Sequence, residues 1–207
     1  MGRSAKSFER RKPQFKPRPT VLVVCEDSKS AKRYLEDATY HFRINVTVEI
    51  SHCGRTDPKG IVANAIERSA KFDRVFCAID RDTHESFEAA IATADAAEKV
   101  TVIASYPCFE FWYLLHFDYS RKPYRTAGNE SAGDRLGADL RACEGMERYD
   151  KGAKKSVFDL LLDKLPVARH TASRVFQHAV DTKEMNPSTQ VHTLIDFFED
   201  LSELKSN

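Results

Sequence analysis

The chain has 207 residues, of which 42% are apolar and 30% are charged, and its formal net charge is +1. This composition is typical of an ordinary globular protein, and no apolar stretch approaches the roughly 18 residues that a membrane span requires. The five cysteines are scattered without C-x-x-C pairs, which argues against a disulfide framework and a structural zinc site. We therefore expect a cytoplasmic protein.

Positive charge is concentrated in the first part of the chain. Residues 1–19 contain seven basic residues, three prolines and a single acid, Glu9, so the remainder is net acidic. Aliphatic residues are scarce here, and we predict a flexible, extended arm. Such an arm either steers a polyanion by counterion release or only improves solubility.

From residue 20 onward, strand and helix patterns alternate. Apolar runs predict strands at 20–25, 74–79 and 100–105, and alternation over 44–50 predicts a half-exposed edge strand. Helices are predicted from Ser28 towards His41, around 61–66, at 84–97, and from Pro107 to about His116. The predicted domain, residues 20–118, is an α/β fold with a mostly parallel four-stranded sheet and flanking helices.

Beyond residue 118 the strand patterns stop. A polar stretch at 123–137, with glycines at 128, 133 and 137, predicts a mobile connection. Helical patterns follow at 134–144, 154–164, 166–180 and 188–204, and Pro166 and Pro187 separate or open these helices. We therefore predict that residues 119–207 form a C-terminal helical portion packed on the α/β domain.

Acidic residues stand at the exits of two predicted strands. Glu26 follows the apolar run 21–25, and Asp80 and Asp82 follow the run 75–79. Ligands of open α/β sheets collect at the carboxyl ends of the strands. Mg²⁺ prefers oxygen ligands and needs only one or two protein carboxylates when a substrate phosphate supplies others. We predict a catalytic Mg²⁺ (or Mn²⁺) site at which Asp80 and Asp82 hold the ion, with Glu26 as a further ligand or a proton-transfer group.

The same acids also suit a purely structural role. Asp82 and Glu85 have the spacing of a helix capping box, and Asp27 with Ser28 can simply begin the first helix. Short acidic motifs have a high rate of false matches, so both interpretations stay open at this point.

Four further residues are candidates for the site. Glu110 lies among aromatic residues in the segment 107–117, and an acid in such surroundings is exposed, paired or functional. His116 falls near the same helical face as the aromatics and is a weaker candidate for binding substrate or supporting Glu110. Lys29 and Arg33 are four residues apart in the first helix, where they can contact phosphates or form a solvated surface.

The order of the acids, Glu after the first strand and D-x-D after the third, resembles a Toprim domain, the metal-binding catalytic fold of topoisomerases, primases and OLD-type nucleases. A more specific resemblance is to the RloB-like family. It is carried by VLVVCE at 21–26, FCAIDRD at 76–82, SYPCFEFWYLLHF at 105–117 and NPST at 186–189, and it spans about residues 20–204. One position differs from the Toprim pattern. Asp27 stands where Toprim domains usually have glycine, and glycine is the residue that adopts positive φ most easily.

The resemblance implies a Toprim-like (Rossmann-like) protein of bacterial or archaeal origin, linked to phage defence or abortive infection and often encoded beside an ATPase. It implies a metal-dependent nuclease acting on DNA or RNA, with Glu26, Asp80 and Asp82 as its catalytic and metal-binding carboxylates. Nucleic acid is the expected partner, the ATPase is a further candidate, no membrane is expected, and a homo-oligomer stays open. The alternative is a non-catalytic partner or sensor subunit of an ATPase-containing complex. A receiver or nucleotide-binding domain fits less well, because the chain has no glycine-rich phosphate-binding motif.

Overall fold

A computed structural model describes residues 19–44, 46–81, 84–152 and 155–203. The basic arm predicted for residues 1–19 therefore lies outside the described residues except for Pro19, and Asp82 lies outside them as well. The statements below concern the described ranges.

The centre of the molecule is a five-stranded sheet. Its strands are β1 (Val21–Cys25), β2 (Val48–His52), β3 (Arg74–Asp80), β4 (Val100–Tyr106) and β5 (Ser188–Thr189), in the spatial order β2-β1-β3-β4-β5. The first four strands are parallel, and β5 is antiparallel to β4, with Ser105 opposite Thr189. The predicted mostly parallel α/β sheet and its edge strand β2 are confirmed.

The prediction of four strands is wrong, because the segment assigned wholly to helices contributes β5. This strand has only two residues, Ser188 and Thr189, and both are buried. Two residues are too few to show the alternation by which a strand is recognised in a sequence. The Ser105 and Thr189 hydroxyls lie 2.8 Å apart and join the two strands through their side chains as well.

Eight α-helices flank the sheet in the described ranges. They are α1 (Ala31–His41), α2 (Pro58–Arg68), α3 (Phe87–Asp95), α4 (Glu110–Leu114), α5 (Ala132–Arg141), α6 (Val157–Leu161), α7 (Leu165–Thr182) and α8 (Val191–Glu203), with 3₁₀ helices at Ser69–Lys71 and Leu162–Lys164. None of the helices in these ranges has both the length and the apolar character needed to cross a membrane.

Both faces of the central strands are covered, as their uninterrupted apolar runs predict. Side chains of a strand point alternately to opposite faces. Val21 and Val23 of β1 accordingly pack in one core cluster with residues of α1 and α4–α8, whereas Leu22 and Val24 pack in a second with α2 and α3. All five residues of β1 are fully buried. This burial fixes the strand rigidly, and with it the position of the residue that follows, Glu26.

Candidate functional site

The parallel register of β1 and β3 brings Glu26 to the end of the neighbouring strand. Cys25 pairs with Ala78, and the Glu26 backbone N–H donates to the Ala78 carbonyl at 3.0 Å. The Glu26 side chain then reaches across, and its Oε2 accepts a 2.7 Å hydrogen bond from the backbone N–H of Asp80. Its other oxygen, Oε1, lies 3.8 Å from His84 Nε2. Glu26 and Asp80 therefore lie side by side at the carboxyl edge of the sheet.

Glu110 joins these two acids from the start of α4. Its side chain is only 7% exposed, and its Oε1 accepts hydrogen bonds from the Ser30 hydroxyl at 2.6 Å and the Tyr149 hydroxyl at 3.2 Å. The Nζ of Lys151 lies 3.1 Å from the same oxygen. Glu110 Oε2 is buried and has no hydrogen-bond partner among the described residues. Buried polar atoms are nearly always paired, so an oxygen left without a partner is a place where a ligand can bind. The neighbouring Cys108 thiol also interacts with this carboxylate and acts to lower the pKa of Glu110.

The electrostatics confirm that the acids share one environment. Burial raises the pKa of Asp80 well above its usual value, and the charges of Glu26 and Glu110 raise it further. Burial also raises the pKa of Glu26, although the hydrogen bond from the Asp80 N–H partly offsets this. Mutual repulsion and desolvation thus act on both strand-exit acids, and a cation near them relieves both effects.

Lys151 supplies one positive charge to this group of acids. Burial alone would lower the pKa of Lys151, but the charges of Glu110, Asp27 and Asp80 raise it above its usual value. Burial likewise acts to raise the pKa of Glu110, but Lys151 and the Ser30 hydroxyl outweigh it and lower that pKa. Glu110 and Lys151 are therefore an ion pair at neutral pH, between α4 and a loop about forty residues further along the chain.

Asp27 has a structural role just before the first helix, which agrees with the structural interpretation of the sequence. Its Oδ1 accepts hydrogen bonds from the backbone N–H groups of Lys29 and Ser30, at 2.7 and 2.6 Å, directly before α1. Non-glycine residues with positive φ in the described ranges are Arg43 and Lys183, so residue 27 does not need the conformational freedom of glycine. Asp27 in place of glycine is therefore compatible with the turn, and it adds a carboxylate 3.7 Å from Lys151.

His116 lies in the aromatic core, away from this edge. It is 2% exposed, with Nδ1 3.0 Å from the Trp112 carbonyl and Nε2 3.3 Å from the Tyr34 hydroxyl. Burial lowers its pKa to about 4, so the ring is neutral at physiological pH. These contacts give His116 a packing role beside Tyr34.

Lys29 and Arg33 line a cavity next to the acids. The cavity has a volume of about 330 Å³ and is also lined by Ser30, Tyr149 and Lys151, which contact Glu110. The predicted phosphate-binding pair thus lies beside the predicted catalytic edge. The contributions of Tyr149 and Lys151 were not predicted for this site, because a contact between segments so far apart leaves no local sequence pattern.

A family model described as an RloB-like protein matches residues 21–198. The chain belongs to the RloB-like family. No curated protein and no solved structure gives a significant match. The matched range begins at β1 and ends in α8, so it includes every strand and all the acids described above.

The carboxylates at this edge of the RloB-like chain are ligands of the kind that a divalent cation such as Mg²⁺ prefers. Within the described ranges, no three His, Cys, Asp or Glu side chains form a complete metal-binding group, and the predicted ligand Asp82 lies outside those ranges. Mg²⁺ does not require such a group, because it usually keeps several waters and takes substrate phosphates as ligands. The free Oε2 of Glu110 and the raised pKa of Asp80 are the two observations that favour a cation here.

Proposed function

We propose that this RloB-like chain is a Toprim-like, Mg²⁺-dependent nuclease that hydrolyses phosphodiester bonds of DNA or RNA. The observation that carries the proposal is the convergence of Glu26, Asp80 and Glu110 at the carboxyl edge of a parallel sheet, with one buried carboxylate oxygen left unpaired. Glu after β1 and Asp after β3 stand in the order that the Toprim resemblance implies.

Each acid has a distinct role in the proposed reaction. Asp80, together with Asp82 and either Glu26 or Glu110, would hold the cation. The cation would supply charge stabilisation to the phosphate oxygens as the phosphodiester is cleaved. Glu26 is the residue suited to proton transfer, because burial raises its pKa towards the working pH and its Oε1 faces partly open surroundings.

A cationic surface next to the acids favours a polyanionic substrate. Lys29, Arg33 and Lys155 line the cavity beside Glu110, and Arg81 follows Asp80 directly on the other side of the edge. Arg81 is held over the Phe87 ring at 4.7 Å and forms a 3.1 Å ion pair with Glu88. Positive groups on both sides of an acidic centre would bind the phosphates that flank a scissile bond.

The defence setting, the cytoplasmic location and the ATPase partner rest on the family resemblance alone. We propose that the nuclease acts in a phage-defence or abortive-infection system, alongside an ATPase encoded nearby. Co-purification of the chain with such an ATPase from cells expressing both is the expected result.

The nuclease proposal is tested with single- and double-stranded DNA, plasmid and structured RNA in the presence of Mg²⁺ or Mn²⁺. We expect cleavage by the wild type, and a loss of at least about a hundredfold in Asp80→Asn and Glu26→Gln, since each loses a group needed for metal binding or proton transfer. Glu67→Gln is the matched control, because Glu67 is an exposed acid near the end of α2, before β3 begins. Equal activity in all four proteins would refute the proposal.

A second function, that of a non-catalytic subunit of an ATPase-containing complex, is favoured by one observation. Lys151 already forms an ion pair with Glu110, and Asp27 accepts two backbone hydrogen bonds in the turn before α1, so part of the acidic cluster already has partners within the protein. Calorimetry with Mn²⁺ separates the two functions. Binding that is lost in Asp80→Asn supports the nuclease, whereas absence of binding together with stable association with the ATPase supports the second function.

A further inference from the structure

We propose that the cavity lined by Lys29, Arg33, Lys151 and Lys155 is a subsite for one unpaired nucleotide of a single-stranded nucleic acid. The proposal rests on the proposed function, since it assigns the substrate class of that site. It is referred to below as the nucleotide cavity.

The walls of the nucleotide cavity carry a surplus of available positive charge. Three acids also line it, so they face four basic residues. Glu36 forms a 2.8 Å ion pair with Lys32, Asp37 accepts a 2.7 Å hydrogen bond from the Ser156 hydroxyl, and Asp150 accepts a 3.4 Å hydrogen bond from the Gly152 N–H. Lys29 and Lys155 are exposed and make no ion pair with any described residue. Lysine ammonium groups free to turn towards a ligand are suited to a phosphate.

The inner surface of the cavity is aromatic. Tyr34 and Tyr113 are nearly fully buried, and Tyr149 is partly exposed beside them, with its ring centroid 5.9 Å from that of Tyr113. The hydroxyl of Tyr149 donates to Glu110 at 3.2 Å, which holds the ring in a fixed orientation. An aromatic surface bounded by cations matches a nucleotide, whose base stacks on aromatic rings while its phosphate meets lysines.

The cavity leads directly to the proposed catalytic edge. Ser30, Tyr149 and Lys151 each line the cavity and each contact Oε1 of Glu110. The Oε2 of Glu110 is buried and has no partner among the described residues. The lining of the cavity includes these three residues but not Glu26, Asp80 or Glu110, so a nucleotide bound there lies one side chain away from the acids. We expect the next phosphate of the same strand to reach the catalytic edge.

The size of the cavity limits the substrate to an unpaired nucleotide. Its volume of about 330 Å³ is at the small end of the range for ligand pockets, roughly 300–1,000 Å³, so it holds about one nucleotide. A base that is stacked and paired within a duplex must be extruded, at a cost of a few kcal/mol, before it can enter this partly open cavity and stack on Tyr149. Single strands, loops and unpaired ends avoid that cost and should be preferred.

Binding measurements in EDTA test this subsite separately from catalysis. Fluorescence anisotropy with a short labelled single strand, its duplex and a competing nucleoside 5′-monophosphate gives the three affinities. We expect the single strand to bind more tightly than the duplex. In Lys29→Ala/Lys155→Ala the slope of log Kobs against log salt should fall by about 0.7 for each lost phosphate contact. Lys71→Ala is the charge-matched control, because Lys71 is exposed just before β3, at the opposite end of that strand from Asp80.

Two substitutions at Tyr149 separate stacking from the hydrogen bond to Glu110. Tyr149→Leu should weaken single-strand binding roughly tenfold because the stacking ring is lost, whereas Tyr149→Phe should bind as the wild type does. Thermal melts establish that each variant is folded. Any one of three results would overturn the assignment. The duplex binds as tightly as the single strand, the lysine double variant keeps the wild-type affinity, or the mononucleotide binds as tightly as the oligonucleotide.

The outcomes also distinguish this subsite from the nuclease proposal. If the lysine and Tyr149→Leu variants bind single strands more weakly but no protein cleaves nucleic acid under any condition, the result supports the subsite and refutes the nuclease proposal. If cleavage is metal-dependent but binding is unchanged in those variants, the result supports the nuclease proposal and refutes the subsite.

Discussion

The ion pair between Lys151 and Glu110 gives the sharpest prediction about stability. At the observed 3.1 Å, with an effective dielectric constant of about 20, the two charges attract by about 5 kcal/mol. Desolvation of the buried Glu110 offsets part of this, and solvent screens Lys151, which is 45% exposed, so about 2 kcal/mol remains. Replacement by methionine, Lys151→Met, leaves Glu110 charged and buried without its partner. We expect it to lower the free energy of unfolding by about 2 kcal/mol.

Thermal unfolding in EDTA measures this loss. For a protein of this size, about 2 kcal/mol corresponds to a fall in Tm of about 4–8 °C. Lys155→Met, the same substitution at an exposed lysine of the same segment, should leave Tm nearly unchanged. In a Glu110→Gln background the additional effect of Lys151→Met should be clearly smaller, because the main charge that Lys151 compensates is gone and Asp27, 3.7 Å away, remains. A Lys151→Met protein that melts with the wild type, or equal losses in both backgrounds, would refute this account of the site.

The pH dependence of the same ion pair follows from the direction of the two pKa shifts. The pKa of Glu110 is lower in the folded state than its ordinary value of 4.5, so the stabilisation is fully present above that value and is lost as the pH falls through the folded pKa. The pKa of Lys151 is raised, so its share persists through neutral pH and is lost only in strongly alkaline solution. The Tm difference between wild type and Lys151→Met should therefore be constant near neutrality and shrink in acid.

Substitutions at three other positions have defined outcomes. Asp80→Asn should raise the free energy of unfolding at pH 7 by about 1 kcal/mol in EDTA and should abolish cleavage. Because the pKa of Asp80 is raised in the folded state, this gain in stability should diminish as the pH falls towards 3.8. A destabilised variant would contradict the repulsion among the acids. Asp27→Ala should cost about 1 kcal/mol in urea unfolding because the turn before α1 loses the acceptor for the Lys29 and Ser30 N–H groups, and Asp27→Asn should restore most of it. His116→Ala should lower stability by about 2 kcal/mol yet leave the KM for nucleic acid unchanged, since its ring does not line the nucleotide cavity and touches it only through the buried Tyr34. A selective rise in KM would assign His116 to the site.

The sequence predicts well those parts of the fold that leave a pattern in neighbouring residues. An apolar run such as 21–25 identifies a strand covered on both faces, and the acid that follows it necessarily lies at the edge of the sheet. Glu26 and Asp80 were found in this way, and the structure places them side by side. Glu110 was found because an acid among aromatics requires a specific partner, and Lys151 is that partner.

The parts that escaped prediction depend on contacts between distant segments. The strand β5 is two residues long and is defined only by its pairing with β4. His116 was grouped with the site by helical spacing, which correctly placed it beside Trp112, with ring centroids 4.8 Å apart. The face that the two residues share packs against Tyr34 in the core. Tyr149 and Lys151 lie in a loop with no motif of its own, and only the folded chain brings them to Glu110.

These distant contacts give the second half of the chain a direct part in the proposed chemistry. The acids at the ends of β1 and β3 repel one another, and Arg81, the cation that follows Asp80, is paired with Glu88, so the acids need a positive charge from elsewhere in the chain. Lys151 provides that charge, Tyr149 provides the aromatic surface of the nucleotide cavity, and β5 completes the sheet beside β4. Because Glu110 contacts both Lys151 and Tyr149, a substrate phosphate that engages Lys151 also frees Glu110 to bind a cation. Substrate binding and metal binding should therefore be coupled, and Mn²⁺ affinity measured by calorimetry should rise when a non-cleavable single strand is present in the wild type but not in Lys151→Met.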